Sequence, residues 1–179
     1  TVGRIKFKCK GQEFLLQAAK VLRDRGIDVT CLLAGGPAPG AEEQIGQMER
    51  LARELGVQAI FTGELPDARP AYAAMDIFVL PSAQPEPFGG GVIEALALGL
   101  PVVGTKIGGT TEQVTDGETG FLVPPADPEA MAAAITELAD DADRRREFGL
   151  RGRARVAAKF NIHAMTERII SKYTLISAA

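Results

Sequence analysis

Two carboxylates and a glycine run stand together in PEPFGGGVIEALALGLPVVGT, residues 85–105. Seven residues separate Glu86 from Glu94, and Gly89, Gly90 and Gly91 lie among them. The N–H groups and positive dipole end of a helix start receive anions, and glycine lets an anion approach the backbone closely. Three adjacent glycines weaken a helix start by roughly 0.5–1 kcal/mol each relative to alanine, more than a plain turn requires. A carboxylate only accepts hydrogen bonds and grips vicinal hydroxyls well. The combination suits a ligand with phosphate in its middle and sugar hydroxyls at both ends, the form of a nucleotide sugar. The simpler alternative makes Glu94 a dipole partner of the helix and Glu86 a solvated loop acid, and spacing alone leaves both open.

Cations gather near the amino terminus, where Arg4, Lys6, Lys8 and Lys10 fall within seven residues and can hold an anion. Arg4 ends an apolar run and Lys10 precedes Gly11 at a helix start, so both face the ligand side of the fold. Lys6 and Lys8 read as a solvated loop. Neither GxGxxG nor GxxxxGK[ST] occurs, which removes the dinucleotide and P-loop fingerprints. Asp141, Ala142 and Asp143 imitate a metal-binding DxD but sit between two helical patterns, where a helix cap explains them. His163, the one histidine, reads as a boundary residue. Cys9 and Cys31 match no metal or redox spacing and read as reduced structural thiols of a cytosolic protein. No metal or cofactor site emerges.

The elements that must position these residues alternate. Short apolar runs at 1–5, 28–35, 59–63, 77–81, 101–105 and 120–124 are separated by helix-period segments at 12–25, 41–55, 68–74, 91–98 and 111–115. Further helices are expected at 128–140, where Asp127 caps and Pro128 takes the first helical position, and at 143–159 and 162–176. Continuous apolar runs predict strands buried on both faces. Their alternation with helices predicts an α/β fold, a doubly wound parallel six-stranded sheet with right-handed crossovers and helices on both faces. In such sheets ligands bind beyond the carboxyl ends of the strands, where Arg4, Lys10, Glu86 and the glycines fall.

With 179 residues, 46% hydrophobic and 24% charged, the chain is expected to form a single globular domain over 1–179. A formal charge of −3 offers no basic field for nucleic acid. No apolar run is long enough to span a bilayer. Thr1 opens directly into a strand-like run, as in a piece of a longer chain or a natural half.

The segment Glu86-Pro-Phe-Gly-x-x-x-x-Glu94-Ala95-x-Ala97-x-Gly99-x-Pro101-Val102-Val103 resembles the signature of retaining glycosyltransferases of GT-B architecture, family 4. VGRI…KG at 2–11, FTGELP at 61–66, AYAAMDIFVLPS at 71–82 and GGTTEQVTDGETGFLVPPADPEAMAAAI at 108–135 resemble the C-terminal half of that family, in order and over nearly the whole chain. The resemblance implies one of two Rossmann-like domains, the one that holds the donor; the N-terminal acceptor domain would be the partner and is absent from this chain. It implies that Arg4 and Lys10 bind the donor diphosphate and that Glu86 holds the transferred sugar. Glu94 would hold the ribose, the backbone from Phe88 through Gly89, Gly90 and Gly91 to Val92 would contact phosphate and sugar, and the loop at Leu65 would flank the base. The family loop at Gly109 and Glu112 usually carries Ile-Pro where this chain has Thr110 and Thr111. The implied reaction is hexosyl transfer from a UDP- or GDP-sugar with retention, without a metal, in the cytoplasm. Many relatives act at the inner face of a membrane, where the arginine run at 144–146 would meet anionic lipid; a solvated helix face explains that run first. A sugar-nucleotide epimerase shares the architecture, and a non-catalytic donor-binding module is the remaining alternative. A glycoside hydrolase, which also uses paired carboxylates, has no use for an anion site.

Overall fold

The computed structural model describes residues 1–177. Strand and helix alternate from α1 (Gln12–Asp24) and β1 (Thr30–Leu33) through α2 (Glu43–Leu55), β2 (Gln58–Phe61), α3 (Arg69–Ala73) and β3 (Phe78–Leu80). The chain continues through α4 (Gly90–Ala97), β4 (Val102–Thr105), α5 (Thr110–Gln113) and β5 (Gly120–Val123), then α6 (Pro128–Ala139), α7 (Ala142–Lys159) and α8 (Ile162–Ser177). All ladders are parallel: β1 pairs with β2, and β4 lies between β3 and β5. Each predicted helix is present, with ends displaced by at most two residues.

The expectation of buried strands follows from how side chains alternate across the sheet. Val79 and Val103 enter the apolar cluster beneath α1 and α6. Their neighbours Phe78, Leu80 and Val102 enter a second cluster with Tyr72, Val92, Ala95 and Leu96. Both faces are therefore covered, and a run such as PVV needs no polar residue. At the edge strand β2 the expectation fails on one face, where Ile60 is 53% exposed.

The expectation of one six-stranded sheet is corrected: five strands form ladders, as a pair β1–β2 and a separate trio β3–β4–β5, and the first run forms none. Residues 1–5 lie alongside β1 and its extension, but only through isolated bridges, Val2 to Ala34 and Ile5 to Pro37. The cause lies at two glycines. Gly3 has φ 149° and Gly35 φ 141°, and a Cβ on Gly35 would sit 2.1 Å from the Gly3 carbonyl oxygen. Close approach alone does not break a ladder, since Gly120 sits as near the Val102 carbonyl within the β4–β5 pairing. The positive φ of Gly3 and Gly35 lies outside the extended region that a continuous ladder needs.

Helix ends follow their capping chemistry. Asp127 accepts from the Ala130 N–H at 2.9 Å and Asp141 from the Arg144 N–H at 2.8 Å, so the first acid of the DxD-like pair caps α7 as expected. Asp143 pairs with Arg146. Arg145 departs from the solvated-face expectation: its guanidinium donates to the Leu138 and Ala139 carbonyls and closes the end of α6. Helix α7 packs on α4 through glycine. A Cβ on Gly149 would lie 2.0 Å from the Gly99 carbonyl oxygen, and one on Gly152 would lie 2.6 Å from Leu96. Among the described residues no helix is long and apolar enough to cross a membrane.

Candidate donor site

Two cavities compete for attention. The larger, about 580 Å³, is lined by Asp28, Val29 and Thr30 before and in β1 and by Asp76 and Ile77 before β3, so it lies toward the amino ends of those strands. The smaller, about 190 Å³, is lined by Gly3, Lys10, Leu80, Ser82, Glu86 and the glycines 89–91, among others. It sits past the carboxyl end of β3, where doubly wound sheets bind ligands, and it holds the chemistry.

Its walls come from two helix starts brought against one strand end. Gly11 precedes α1 with φ 70°. A Cβ there would lie 1.9 Å from the Pro81 carbonyl oxygen, so no other residue fits. The N–H groups of Ala83 and Gln84 donate to the Cys9 carbonyl at 2.9 and 3.2 Å. These contacts fix Lys10 beside the loop after β3. Gln12 is buried and its amide donates to the Arg4 carbonyl at 3.0 Å, tying the cationic loop to the helix start.

Lys10 Nζ lies 2.9 Å from Glu86 Oε2, with side chains 31% and 18% exposed. The buried Ser82 hydroxyl donates to Glu86 Oε1. Thus the two residues expected to bind different parts of a ligand, Lys10 and Glu86, neutralise each other in the free protein. The loop of Glu86 rests on glycine. The Gly109 N–H donates to the Glu86 carbonyl at 2.8 Å, and Cβ atoms on Gly108 and Gly109 would each fall 2.5 Å from the carbonyl oxygens of Glu86 and Pro87.

The three glycines differ in what a side chain would meet there. None has a positive φ. A Cβ on Gly90 would meet only Glu94 Oε1, at 3.9 Å, so this is the open position. A Cβ on Gly91 would press on Phe78 at 3.1 Å and the Tyr72 hydroxyl at 3.3 Å, so Gly91 serves packing. The Gly89 carbonyl accepts from the buried Gln113 amide at 3.3 Å. Helix α4, like α1, α2, α3 and α5, starts without a side-chain cap. The Val92 N–H turns back to the Gly89 carbonyl at 3.1 Å, which leaves the N–H groups of Gly90 and Gly91 ahead of the first helical acceptor.

Glu94 lies on the exposed side of α4, and the Tyr72 hydroxyl donates to its Oε2 at 2.7 Å. Burial first, then this hydrogen bond and the carboxylate's charge, push the Tyr72 phenol far above its ordinary pKa. The remaining expected residues are spread more widely. Arg4 is exposed and Leu65 half-buried, and neither lines the cleft. Phe88 is 58% exposed and meets Phe160 at 6.2 Å between ring centres. The Val92 side chain is buried in the core, so only its backbone can face a ligand. Among the described residues no cluster of three or more His, Cys, Asp or Glu side chains could hold a metal ion.

The family model described as glycosyl transferases group 1 matches residues 1–141. The chain belongs to this family. A D-inositol 3-phosphate glycosyltransferase of Corynebacterium urealyticum is 40% identical over 152 residues, covering 80% of this chain and 35% of that protein. Crystal structures of Anabaena Alr3699/HepE with UDP and with UDP-glucose superpose with TM-scores of 0.88 and 0.87 at 27% identity, covering 97% of this chain and 47% of that one. The C-terminal domain of a glycosyl transferase group 1 family protein (LpcC) from Francisella tularensis superposes with a TM-score of 0.78 at 31% identity, covering 89% of this chain and 84% of that domain. This glycosyl transferases group 1 chain therefore has the α/β Rossmann-like fold of a GT-B half, and it spans less than half the length of the curated relatives it matches, 35% and 44% in two cases.

Sequence reasoning missed four residues of this group 1 chain that line the cleft or hold its surroundings in place. Ser82 directly follows a strand run, a signal that was present. Tyr72 falls inside the helix-period segment 68–74, where nothing local ties it to Glu94. Gln113 is fully buried, and Arg155, from α7, donates to the Glu112 and Gln113 carbonyls at 2.6 and 2.8 Å. No linear pattern connects either to the glycine loop.

Proposed function

We propose that this chain is the donor-binding half of a retaining glycosyltransferase that moves a hexosyl group from a UDP- or GDP-sugar to an acceptor held by a separate N-terminal domain. One observation supports this most: a single cleft joins a glycine-lined helix start without a side-chain cap to the Lys10–Glu86 pair, and Glu94, outside its lining, holds Oε1 beside Gly90. In this reading the diphosphate lies against the first N–H groups of α4, and Lys10, which has three donors, turns toward it. Arg4 adds a second cation from the rim. Charge grows on the diphosphate as the C1–O bond breaks, and preorganised donors aimed at developing charge lower that barrier. Lys10, Arg4 and the helix start fill this role, so the reading calls on no metal ion.

Glu86, oriented by Ser82 and Lys10, holds hydroxyls of the transferred sugar and is not a nucleophile. The acceptor oxygen bonds to C1 on the face the diphosphate leaves, and its proton passes to the departing phosphate oxygen. Glu94 grips the ribose diol, the backbone at 88–92 contacts phosphate and sugar, and the loop at Leu65 flanks the base. The reaction is placed in the cytoplasm. The HepE complexes with UDP and UDP-glucose lend weight to a uridine donor.

Calorimetric titration of UDP, GDP and their sugars into this chain tests the reading. One nucleotide series should bind without turnover, and Lys10→Ala and Glu94→Ala should each weaken it by about 1.5–3 kcal/mol, the scale of hydrogen bonds to charged groups. Absence of binding by every nucleotide and nucleotide sugar would refute it. Interconversion of a free nucleotide sugar without an acceptor would instead mark an epimerase.

A further inference from the structure

Tyr72 is 2% exposed and lines no part of the cleft, yet it holds Glu94, whose Oε1 lies beside the cleft-lining Gly90. Its ring sits 5.7 Å from that of Phe78, between ring centres. Its hydroxyl donates to Glu94 Oε2 at 2.7 Å and lies 3.4 Å from the Gly91 carbonyl. Gly91 leaves the space this hydroxyl needs. With Oε2 tied down on the Tyr72 side, Oε1 is the atom beside the open position at Gly90.

We propose that Tyr72 is a positioning residue that makes the site select ribose over 2′-deoxyribose by fixing the plane and rotamer of Glu94. The proposal rests on the reading of Glu94 as the diol grip. A glutamate on an exposed helix face samples many rotamers and must be ordered on binding. A buried phenol supplies that order in advance, and preorganisation of this kind becomes affinity. It also supplies selectivity. A carboxylate clamped in one plane meets both hydroxyls of a vicinal diol, and loss of one hydroxyl leaves an acceptor unpaired. A carboxylate free to rotate can re-aim at the one hydroxyl that remains and lose less. A role limited to satisfying a buried phenol predicts no link to the sugar.

The test titrates UDP and 2′-deoxy-UDP, and GDP and 2′-deoxy-GDP, into the wild-type chain and Tyr72→Phe. For the base that binds, Tyr72→Phe should weaken the ribonucleotide about tenfold, the scale of one hydrogen bond to a charged group, and leave the deoxy form nearly unchanged. The preference for ribose then falls by the same factor. A wild type that prefers ribose and a Tyr72→Phe with the same preference would overturn the proposal and leave the donor-site reading standing. A wild type that binds a nucleotide without preferring ribose, or binds none, would overturn the role of Glu94 and the proposal with it. Should Tyr72→Phe fail to fold, the two tyrosines of the chain can be replaced by 3-fluorotyrosine, with Tyr173→Phe assigning the signals. The Tyr72 fluorine resonance should move when the ribonucleotide binds and stay in place in Glu94→Ala; equal movement in both proteins would overturn the proposal.

Discussion

The Lys10–Glu86 pair gives the sharpest prediction, because one substitution should move two ligands in opposite directions. Glu86→Gln keeps the volume and an oxygen that accepts from Ser82, and it removes the charge facing Lys10. At 2.9 Å, with side chains 31% and 18% exposed, the pair is neither fully solvated nor buried. The measured scale for exposed pairs, discounted for solvent screening, puts its strength at about 0.5–1 kcal/mol. A diphosphate competes with Glu86 for Lys10, so releasing Lys10 should tighten UDP, or GDP if that is the base, by roughly twofold to fivefold. The sugar-bearing donor loses the charged acceptor for its hydroxyls, about 1.5–3 kcal/mol, and that loss exceeds the gain. Calorimetry at about 0.1 M salt reads both changes, and the gain should shrink at higher salt as screening weakens the original pair. Equal losses for the nucleotide and its sugar form would refute the assignment of Glu86 to the sugar. Equal gains would refute it too.

Two further predictions concern the framework. Gly149→Ala places a methyl 2.0 Å from the Gly99 backbone oxygen, so α7 must move off α4 at about 1–3 kcal/mol, the scale of overpacking; urea denaturation measures this, and a neutral or stabilising result would refute the close packing. Burial pushes the Cys31 thiol up to about 11, which keeps it neutral in the fold while the unfolded thiol ionises near its ordinary value. Stability is therefore complete below about pH 9 and should fall by about 2–3 kcal/mol between pH 9 and 11. The fall should be smaller in Cys31→Ala, and an unchanged slope would show that other groups cause it.

Much of the fold could be read along the chain. Helix positions followed from 3.6-residue apolar spacing and from caps such as Asp127 with Pro128, because those signals are local. The two-faced burial of β3 and β4 was legible for the same reason: a strand covered on both sides carries no polar alternation. The first run misled because it is apolar and β-branched, while the feature that breaks its ladder is the backbone at Gly3 and Gly35, thirty-two residues apart in the chain. At the site, residue type and spacing marked Glu86, Glu94 and Lys10 as groups for hydroxyls and phosphate. Spacing could not show that Lys10 and Glu86 meet.

The opening glycine run shows the division between chain and fold. A carboxylate accepts, a lysine donates and a glycine leaves room, and these properties belong to the residues wherever they lie. Which glycine leaves room for a ligand and which for a tyrosine depends on what stands opposite. Gly90 faces an opening and Gly91 faces Tyr72 and Phe78, although the two are chemically identical neighbours. The same holds for Glu94, whose tie to Tyr72 spans twenty-two residues. Such contacts arise because packing α3 and α4 on one face of the sheet brings distant side chains within hydrogen-bond range, and no local pattern encodes that distance.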